Sequence, residues 1–561
     1  MRMRARLDRW RCAFGLAWLS LLTPACGGAP ISTLRFHNRP PITTVQDAQP
    51  IAMPAERDQG ERAWQVDALL HLPLDHALSV PGPEHAQDVS SIDEVPSSSW
   101  FEPRISVRAL TPAEVMCGPR GCEHPASLAN GAFKAFKVKS AGTAPGLLVE
   151  DAAGARYLLK VDPGAPEAET AAEVVVQRLM WAAGYHVPNN EVVYLTREQV
   201  GSADDDKVKS ADIGRVFDHA AKDDRGRARV LLSELLEGKP VGGFPTMGVR
   251  GDDPNDQIPH EHRRTLRALE LFFAWLGQTD VKEANTLDMW IETDEGKQLG
   301  FVRHNQLDFG KSLGVWGLSG RERDAFAPHF DYADATSSLF TFGLERWPWE
   351  GLKGPPLRGI GRFEAERFDP ARYSPTNPYA PFLYTDRFDR YWAAKIIARF
   401  SAQHLAAAID AARYTDPAAR KYLLTTLQAR QRKAVSYGFS EVSTLDDFEV
   451  QLEVQPAAGE RFALCARDLA VVTGFVPASY AHYWVRVYDW AGDSLQEPSA
   501  HTASGDGSIC VHNLASGTAH DGYTMVAYET RPERGTATHI VAHLARDPVS
   551  HRMRLIGLER R

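Results

Sequence analysis

The length, composition and charge of the chain indicate a protein of several domains that does not bind nucleic acid through bulk charge. At 561 residues it is longer than one ordinary domain and suggests about three, while an apolar fraction of 43% allows sizeable cores. The net charge is −9, whereas proteins that bind the phosphates of nucleic acid usually have an excess of basic residues. Nucleic acid is therefore not an expected partner.

The first 26 residues have the pattern of a bacterial export signal and are kept out of fold prediction. Five arginines precede the apolar stretch 12–22, which is too short to span a bilayer. Ala25 before Cys26 resembles a lipobox, although the two residues before Ala25 depart from the usual pattern. We therefore predict a lipoprotein signal peptide over 1–26, with membrane attachment through lipidated Cys26 and simple secretion as the alternative. Gly27, in place of an aspartate, favours the outer membrane or periplasm within the cell envelope.

Six cysteines are present, and two of them belong to the signal. The other four form two local sets, Cys117 with Cys122 and Cys465 with Cys510. Because each set pairs without a remainder, disulfides in an oxidising compartment are expected, although the sequence leaves the connectivity open. A zinc site of four cysteines is the alternative, and it is disfavoured because the two sets lie in regions that look like separate domains and neither set is CxxC.

Two segments precede the first predicted domain. Residues 27–82 are rich in proline and polar residues without sustained periodicity, which predicts a disordered tether. Residues 83–131 contain scattered apolar residues in DVSSIDEVPSSSWFEPRI, which predicts an extension packed on the next domain rather than a core of its own.

Strand and helix signals alternate over 132–241. Short runs around glycine-bearing turns predict strands at 133–138, 147–150 and 157–161. A helix follows in APEAETAAEVVVQRLMWAAGY, whose apolar residues recur every three or four positions and whose C-terminus suits Gly184. NEVVYL and RARVLLSELLEG predict further strands, and the acidic stretch ADDDKVKSAD between them is expected to be a solvated loop.

The pattern becomes helical over 242–442 and strand-like over 443–561. PHEHRRTLRALELFFAWLGQ predicts a helix, and DMWIETDEGKQLGFVRHNQLDFG predicts a strand, a turn and a second strand. YWAAKIIARFSAQHLAAAID and ARKYLLTTLQARQRKAVS predict two more helices. The short alternating strands that follow predict a small antiparallel β-sandwich-like domain.

Polar residues cluster where the helical part meets the hairpin. TDVKEAN contains Asp280, Lys282 and Asn285, and Asp308 follows in LDFG. This order resembles the catalytic loop and metal-binding motif of protein kinases. In both, an aspartate is followed by four residues and an asparagine, and then by a strand, a turn, a second strand and DFG. The resemblance implies that Asp280 orients the substrate hydroxyl and that Lys282 stabilises the transferring phosphoryl group. It also implies that Asn285 and Asp308 ligand the metal, whereas the alternative is a polar loop capped by turn residues.

The strand-rich segment supplies the residues that the same resemblance assigns to nucleotide binding. Lys160 ends the third predicted strand and would reach the phosphates, with Glu173 in the next helix as its partner. Glu169, one turn earlier, is the fallback partner. Gly142 and Gly146 lie in the turn expected to cover the phosphates, although this turn lacks the full glycine-rich motif of typical kinases.

The resemblance extends over 132–438 and is closest to atypical kinase-like families, namely HipA-type toxin kinases, spore-coat CotH kinases and secreted Golgi kinases. A group of exported bacterial lipoproteins of unassigned activity is also similar in DEVPSSSWF, PHEHRRTLRALELFFAWL and VRHNQLDFG. The resemblance implies an α+β, bilobal protein-kinase-like fold that uses ATP with Mg²⁺ or Mn²⁺. Its N-lobe would cover 132–241, its helical C-lobe 242–442, and its adenine-contacting hinge 234–238.

Several functions remain open at this point. A kinase would move the γ-phosphoryl group to a hydroxyl of an unknown protein, sugar or small-molecule acceptor, and a nucleotidyl transferase would use the same site. A pseudokinase scaffold or ligand-binding lipoprotein is the non-enzymatic alternative, since free ATP is scarce outside the cytoplasm. A metal-dependent hydrolase using Asp280, Asp288 and His304 lacks the paired histidine spacing of such sites. His304 is instead expected to be a packing residue.

Overall fold

The computed structural model describes most of the chain after residue 31. The described residues are 32–57, 66, 71–72, 74, 78, 85–121, 132–139, 144–162, 164–204, 206–294, 296–315, 332–344, 354–455, 459–530 and 537–561. The predicted signal peptide with its lipidation site at Cys26, together with Cys122 and Gly142, therefore lies outside the described residues.

Helices and strands are mixed along the described chain, so the fold is of the α+β class. The helices are α1 (Pro112–Cys117), α2 (Glu169–Ala183), α3 (Ser210–His219), α4 (Arg264–Arg267), α5 (Leu269–Leu276), α6 (Tyr332–Phe340), α7 (Ala380–Leu383), α8 (Arg387–Ala398), α9 (Ala402–Ala411), α10 (Pro417–Phe439) and α11 (Leu469–Val472). The strands are β1 (Ile51–Ala52), β2 (Phe133–Val138), β3 (Gly146–Glu150), β4 (Arg156–Lys160), β5 (Asn190–Leu195), β6 (Val200–Ser202), β7 (Ala228–Glu234), β8 (Lys239–Pro240), β9 (Thr286–Asp294), β10 (Leu299–Gln306), β11 (Leu445–Gln455), β12 (Gly459–Asp468), β13 (His482–Asp489), β14 (Ser494–Thr502), β15 (Ser508–Leu514), β16 (Thr524–Thr530), β17 (Thr538–Arg546) and β18 (Met553–Arg560). Within the described residues, no helix combines the length and the apolar character needed to cross a membrane.

Six strands between 132 and 241 form one sheet in the order β5-β7-β4-β3-β2-β6. The three predicted strands at its centre are present as the antiparallel neighbours β2, β3 and β4. The acidic stretch ADDDKVKSAD is not the solvated loop that the sequence predicts, because α3 begins inside it. Ile213, Val216 and Phe217 recur at helical spacing and pack into the core of the sheet, which explains the helix.

The predicted helix α2 is confirmed, and it connects the sheet to the helical part. Val175 on α2 belongs to the same apolar cluster as Phe272 on α5. The helix ends at Gly184, whose φ of 135° favours glycine. The ring of Phe101, from the N-terminal extension, packs so closely that a Cβ on Gly184 would lie 2.3 Å from it. The predicted extension thus packs on the end of α2.

The N-terminal segment 32–57 differs from the predicted disordered tether. Its strand β1 pairs with β10 and extends the hairpin into a sheet of order β1-β10-β9-β8. Earlier in the segment, the ring of Phe36 packs on His543 of the C-terminal domain with centroids 4.9 Å apart. The segment is held by backbone pairing and isolated apolar contacts, which leave no periodic pattern in the sequence.

The predicted antiparallel domain over 443–561 consists of two sheets. Their orders are β11-β12-β15 and β14-β13-β16-β17-β18, and all described neighbours in them are antiparallel. Side chains from both sheets share one apolar cluster. The predicted disulfide between Cys465 and Cys510 is present and joins directly paired residues of β12 and β15. Cys117 is also disulfide-bonded, so these thiols are not free to form a zinc site.

Candidate functional site

Lys160 lies where three elements meet. It ends β4, a strand in the interior of the six-stranded sheet between β3 and β7. Its Nζ lies 4.0 Å from Glu173 Oε2 on α2 and 3.4 Å from Asp308 Oδ1, which follows β10. The lysine ammonium therefore bridges two carboxylates that are distant in the sequence.

The charges around Lys160 stabilise one another. Burial alone would lower the pKa of Lys160, but the nearby carboxylates of Glu173 and Asp308 outweigh burial and raise it. Burial raises the pKa of Glu173 to about 7, against the opposing attraction of Lys160. Glu173 Oε1 also accepts a hydrogen bond of 3.2 Å from Asn190 Nδ2. The lysine is thus held in position and positively charged.

Asp308 is presented by an unusual backbone conformation. Its φ of 57° lies in the left-handed region, which aspartate tolerates better than most residues. Its carbonyl oxygen accepts a hydrogen bond of 3.1 Å from Gln278 Nε2. Burial alone would raise the pKa of Asp308. The charges of Lys160 and Lys139 outweigh burial, so the pKa lies below its usual value. Because half of the side chain is exposed, an ionised carboxylate is available to a ligand.

The loop that carries Asp280 is fixed beside Asp308. Asn285 Nδ2 donates a hydrogen bond of 2.7 Å to the Asp280 carbonyl. Lys282 Nζ donates to Asp280 Oδ2 at 3.0 Å. The backbone amide of Leu307 donates to the Asn285 carbonyl at 2.9 Å, and Leu307 immediately precedes Asp308. The loop and the end of β10 are therefore joined directly.

The structure brings together most of the predicted site residues. Six of them lie in this junction: Lys160, Glu173, Asp280, Lys282, Asn285 and Asp308. Gly142 lies outside the described residues. Gly146 has a structural reason to be glycine, because a Cβ there would lie 2.6 Å from the Leu159 carbonyl oxygen of the adjacent strand.

The fallback partner of Lys160 is paired with another residue. Glu169 Oε1 lies 2.5 Å from the Nζ of Lys311, the residue that directly follows LDFG. Burial raises the pKa of Glu169, and Lys311 opposes that rise. The structure therefore selects Glu173 rather than Glu169 as the carboxylate next to Lys160.

Two residues of the site were not found from the sequence. Gln278 joins the loop to Asp308 through its side chain. Lys139 follows β2 at the glycine turn, and its Nζ donates to the Ala144 carbonyl at 2.9 Å. Burial and the charge of Lys160 lower its pKa. The only signal for Lys139 was its position at the start of the turn, which does not reveal where its side chain points.

The predicted hinge, residues 234–238, connects the sheet to the β8–β9 pair. The backbone amide of Leu235 donates to the Arg156 carbonyl at 2.9 Å. Gly238 has a φ of 97°, and a Cβ there would lie 2.5 Å from the Trp290 carbonyl oxygen. The predicted hinge is therefore packed tightly between the six-stranded sheet and the β8–β9 pair.

Asp288 and His304, considered as hydrolase residues, lie in a buried network. His304 Nδ1 is 2.6 Å from Asp288 Oδ1, and Arg250 Nη1 is 3.1 Å from Asp288 Oδ2. The His304 ring stacks on Trp100 with centroids 3.6 Å apart. These contacts give both residues a packing role.

The donor set suits a metal only when another molecule supplies ligands. Among the described residues, no group of three or more histidine, cysteine, aspartate or glutamate side chains is arranged to hold a metal ion. Asp308 and Asn285 offer one carboxylate and one amide. Mg²⁺ is commonly bound in this way, through one or two protein ligands together with substrate phosphates and water.

Comparison with known proteins gives no further assignment. No family model matches the chain, and no curated protein or solved structure that was compared with it matches.

Proposed function

We propose that the protein is an exported kinase-like phosphotransferase with a bilobal protein-kinase-like fold, attached to the cell envelope through lipidated Cys26. It would use ATP with Mg²⁺ or Mn²⁺ to phosphorylate a hydroxyl of an acceptor. The observation that carries the proposal is the position of Lys160 Nζ, between Glu173 at 4.0 Å and Asp308 at 3.4 Å. Kinases require this arrangement for phosphoryl transfer: a strand lysine is paired with a helix glutamate and lies next to an aspartate that binds metal.

Nucleotide binding is assigned to the positive side of the site. Lys160, held by Glu173, would contact the α- and β-phosphates. Lys139 adds a second ammonium at the glycine turn, close enough to Lys160 to lower its own pKa. Two lysine ammonium groups close together in space favour a ligand with several negative charges.

Metal binding is assigned to Asp308 and Asn285. The pKa of Asp308 is lower than usual, so it is ionised at neutral pH. Asn285 uses its amide nitrogen to donate to the Asp280 carbonyl, so its amide oxygen is the candidate ligand atom. The metal, when bound, neutralises charge on the phosphates. Because only two side chains contribute, we expect metal to bind together with nucleotide and not alone.

Transfer is assigned to Asp280 and Lys282. The hydroxyl oxygen of the acceptor would form a bond to the γ-phosphorus while the bond between this phosphorus and the β–γ bridging oxygen breaks. Asp280 would accept the hydroxyl proton, and ADP would leave. Lys282, which lies 3.0 Å from Asp280, would stabilise negative charge on the transferred group.

The first test is nucleotide binding to the chain from residue 27 onward. We expect ATP with Mg²⁺ or Mn²⁺ to raise the melting temperature, and the metal alone to have little effect. Asp308→Ala should abolish the shift. Asp294→Ala is the matched control, because Asp294 lies on the same hairpin and pairs with Lys297 at the surface. A wild-type protein that no nucleotide stabilises would favour the pseudokinase scaffold.

The second test separates binding from chemistry. Label transfer from γ-labelled ATP identifies a kinase, and transfer from α-labelled ATP identifies a nucleotidyl transferase. Asp280→Asn should keep most of the thermal shift and lose transfer, since Asp280 is assigned to the proton of the acceptor and not to the nucleotide.

A further inference from the structure

The N-terminal segment 32–57 contacts, through Arg57, the loop that carries Asp280. Arg57 Nη2 lies 3.4 Å from Glu283 Oε1. Glu283 begins the 3₁₀ turn Glu283–Asn285, inside the candidate catalytic loop. The side chain of Glu283 is only 4% exposed. The ion pair is therefore less screened by solvent than a surface pair.

Two consecutive glycines allow the segment and the loop to approach at this point. Gly242 has a φ of 92°, and a Cβ there would lie 2.3 Å from the Arg57 carbonyl oxygen. A Cβ on Gly243 would lie 2.8 Å from the Glu283 carbonyl oxygen. The backbone amide of Arg57 also donates to the Val241 carbonyl at 3.1 Å. The contact is thus a close backbone junction as well as an ion pair.

The segment is anchored along its length before it reaches the loop. Asp47 accepts hydrogen bonds from Ser99, one from the backbone amide at 3.0 Å and one from the hydroxyl at 2.8 Å. Strand β1 then pairs with β10, the strand that leads to Asp308. The backbone amide of Ala55 donates to Asp252 Oδ2 at 2.9 Å. The same segment therefore contacts the strand before Asp308 and the loop after Asp280.

We propose that residues 32–57 form an intramolecular strap that positions the candidate catalytic loop, with Arg57 as the positioning residue; its effect on catalysis rests on the proposed function. Arg57 holds the buried carboxylate of Glu283. Glu283 in turn fixes the 3₁₀ turn in which Asn285 donates to the Asp280 carbonyl. Loss of the arginine leaves Glu283 with one cation fewer in a buried position, which favours movement of the turn towards solvent.

The strap is tested with Arg57→Ala, Arg57→Lys and the control Lys239→Ala. Lys239 forms an ion pair with Glu292, also 3.4 Å long, on the neighbouring β8–β9 pair and away from the loop. In Arg57→Ala we expect faster amide hydrogen exchange over residues 280–286 and a fall in kcat of roughly tenfold to a hundredfold. KM for ATP should also rise, because the same turn carries Asn285, which is assigned to the metal that binds with the nucleotide. Arg57→Lys should restore most of both properties, and Lys239→Ala should resemble the wild type.

Hydrogen exchange makes the inference independent of the proposed function. Unchanged exchange over 280–286 in Arg57→Ala would overturn the strap. Faster exchange with an unchanged kcat would overturn its effect on catalysis. If the wild type neither binds nor uses nucleotide, the proposed function fails, and the exchange result still decides whether Arg57 positions the loop.

Discussion

Glu173, in the candidate site, has a position that costs stability at neutral pH. Burial raises its pKa to about 7, whereas a glutamate in an unfolded chain titrates near about 4.3. The folded state therefore binds the proton of the Glu173 carboxyl group more tightly than the unfolded state does. The resulting contribution to stability is fully present below about pH 4.3 and is lost as the pH rises through 7.

The variant Glu173→Gln tests this sign. A neutral amide of similar shape removes the cost of ionisation, so the variant should gain stability relative to the wild type as the pH rises from 5 to 8. The gain should be at most about 3 kcal/mol, because one pKa unit corresponds to about 1.4 kcal/mol. Under the proposed function, the thermal shift expected with ATP should weaken, since Lys160 loses a partner. Melting temperatures at several pH values check both effects.

A matched control uses Glu237→Gln, whose side chain is 73% exposed and pairs with Arg303 at the surface. Its stability relative to the wild type should stay nearly constant over the same pH range. A difference between Glu173→Gln and the wild type that does not change with pH would contradict the raised pKa of Glu173.

Among the elements, α2 holds Glu173 in place, and its C-terminus is the most sensitive point. Gly184→Ala adds a methyl group 2.3 Å from the Phe101 ring at a φ of 135°. Overpacking and backbone strain together should destabilise the protein by about 2–4 kcal/mol, measured by chemical denaturation. Gly154→Ala separates the two causes, because Gly154 has a φ of 84° and no atom near an added Cβ. Equal losses in both variants would show that the Phe101 contact is not responsible.

Elements with a strong periodic pattern could be predicted from the sequence. The apolar spacing of α2 and the short runs of β2, β3 and β4 appear in the structure as expected. The resemblance to protein-kinase motifs singles out Lys160 and Asp308, and the structure places their side chains together. Local patterns predict the strands that these residues end or follow, whereas the choice of the two residues depends on the resemblance.

Features that depend on contacts between distant segments could not be predicted. Strand β1 has two residues and is held by the edge of β10, so it has no period of its own. The choice of Lys311 as the partner of Glu169 depends on where two flexible side chains reach. Lys139 interacts electrostatically with Lys160 and Asp308, which lie far from it in the sequence. In each case the deciding interaction lies outside the local sequence.

Across the whole molecule, the C-terminal β domain is joined to the helical part by buried charges. Arg560, the penultimate residue, donates to Asp93 Oδ2 at 3.0 Å and lies 3.4 Å from Asp446 Oδ1. Its guanidinium group lies 4.2 Å from the ring centroid of Tyr391 on α8. Lys395, also on α8, pairs with Asp446 at 3.0 Å. Burial would raise the pKa of Asp446, but Lys395 and Arg560 hold it well below its usual value.

Through its contacts with Asp93 and Tyr391, Arg560 is one of the residues that couple the β domain to the rest of the protein. Arg560→Ala leaves Asp93 and Asp446 in the interior with one cation fewer, a change that costs about 3–5 kcal/mol for buried pairs. We expect calorimetry to show one main transition in the wild type and two in the variant, the β domain unfolding separately. Arg561→Ala is the control, because Arg561 is 31% exposed and pairs with Glu559 at 2.8 Å. It should change stability by no more than about 0.5 kcal/mol. A single, unshifted transition in Arg560→Ala would show that Arg560 does not couple the two parts.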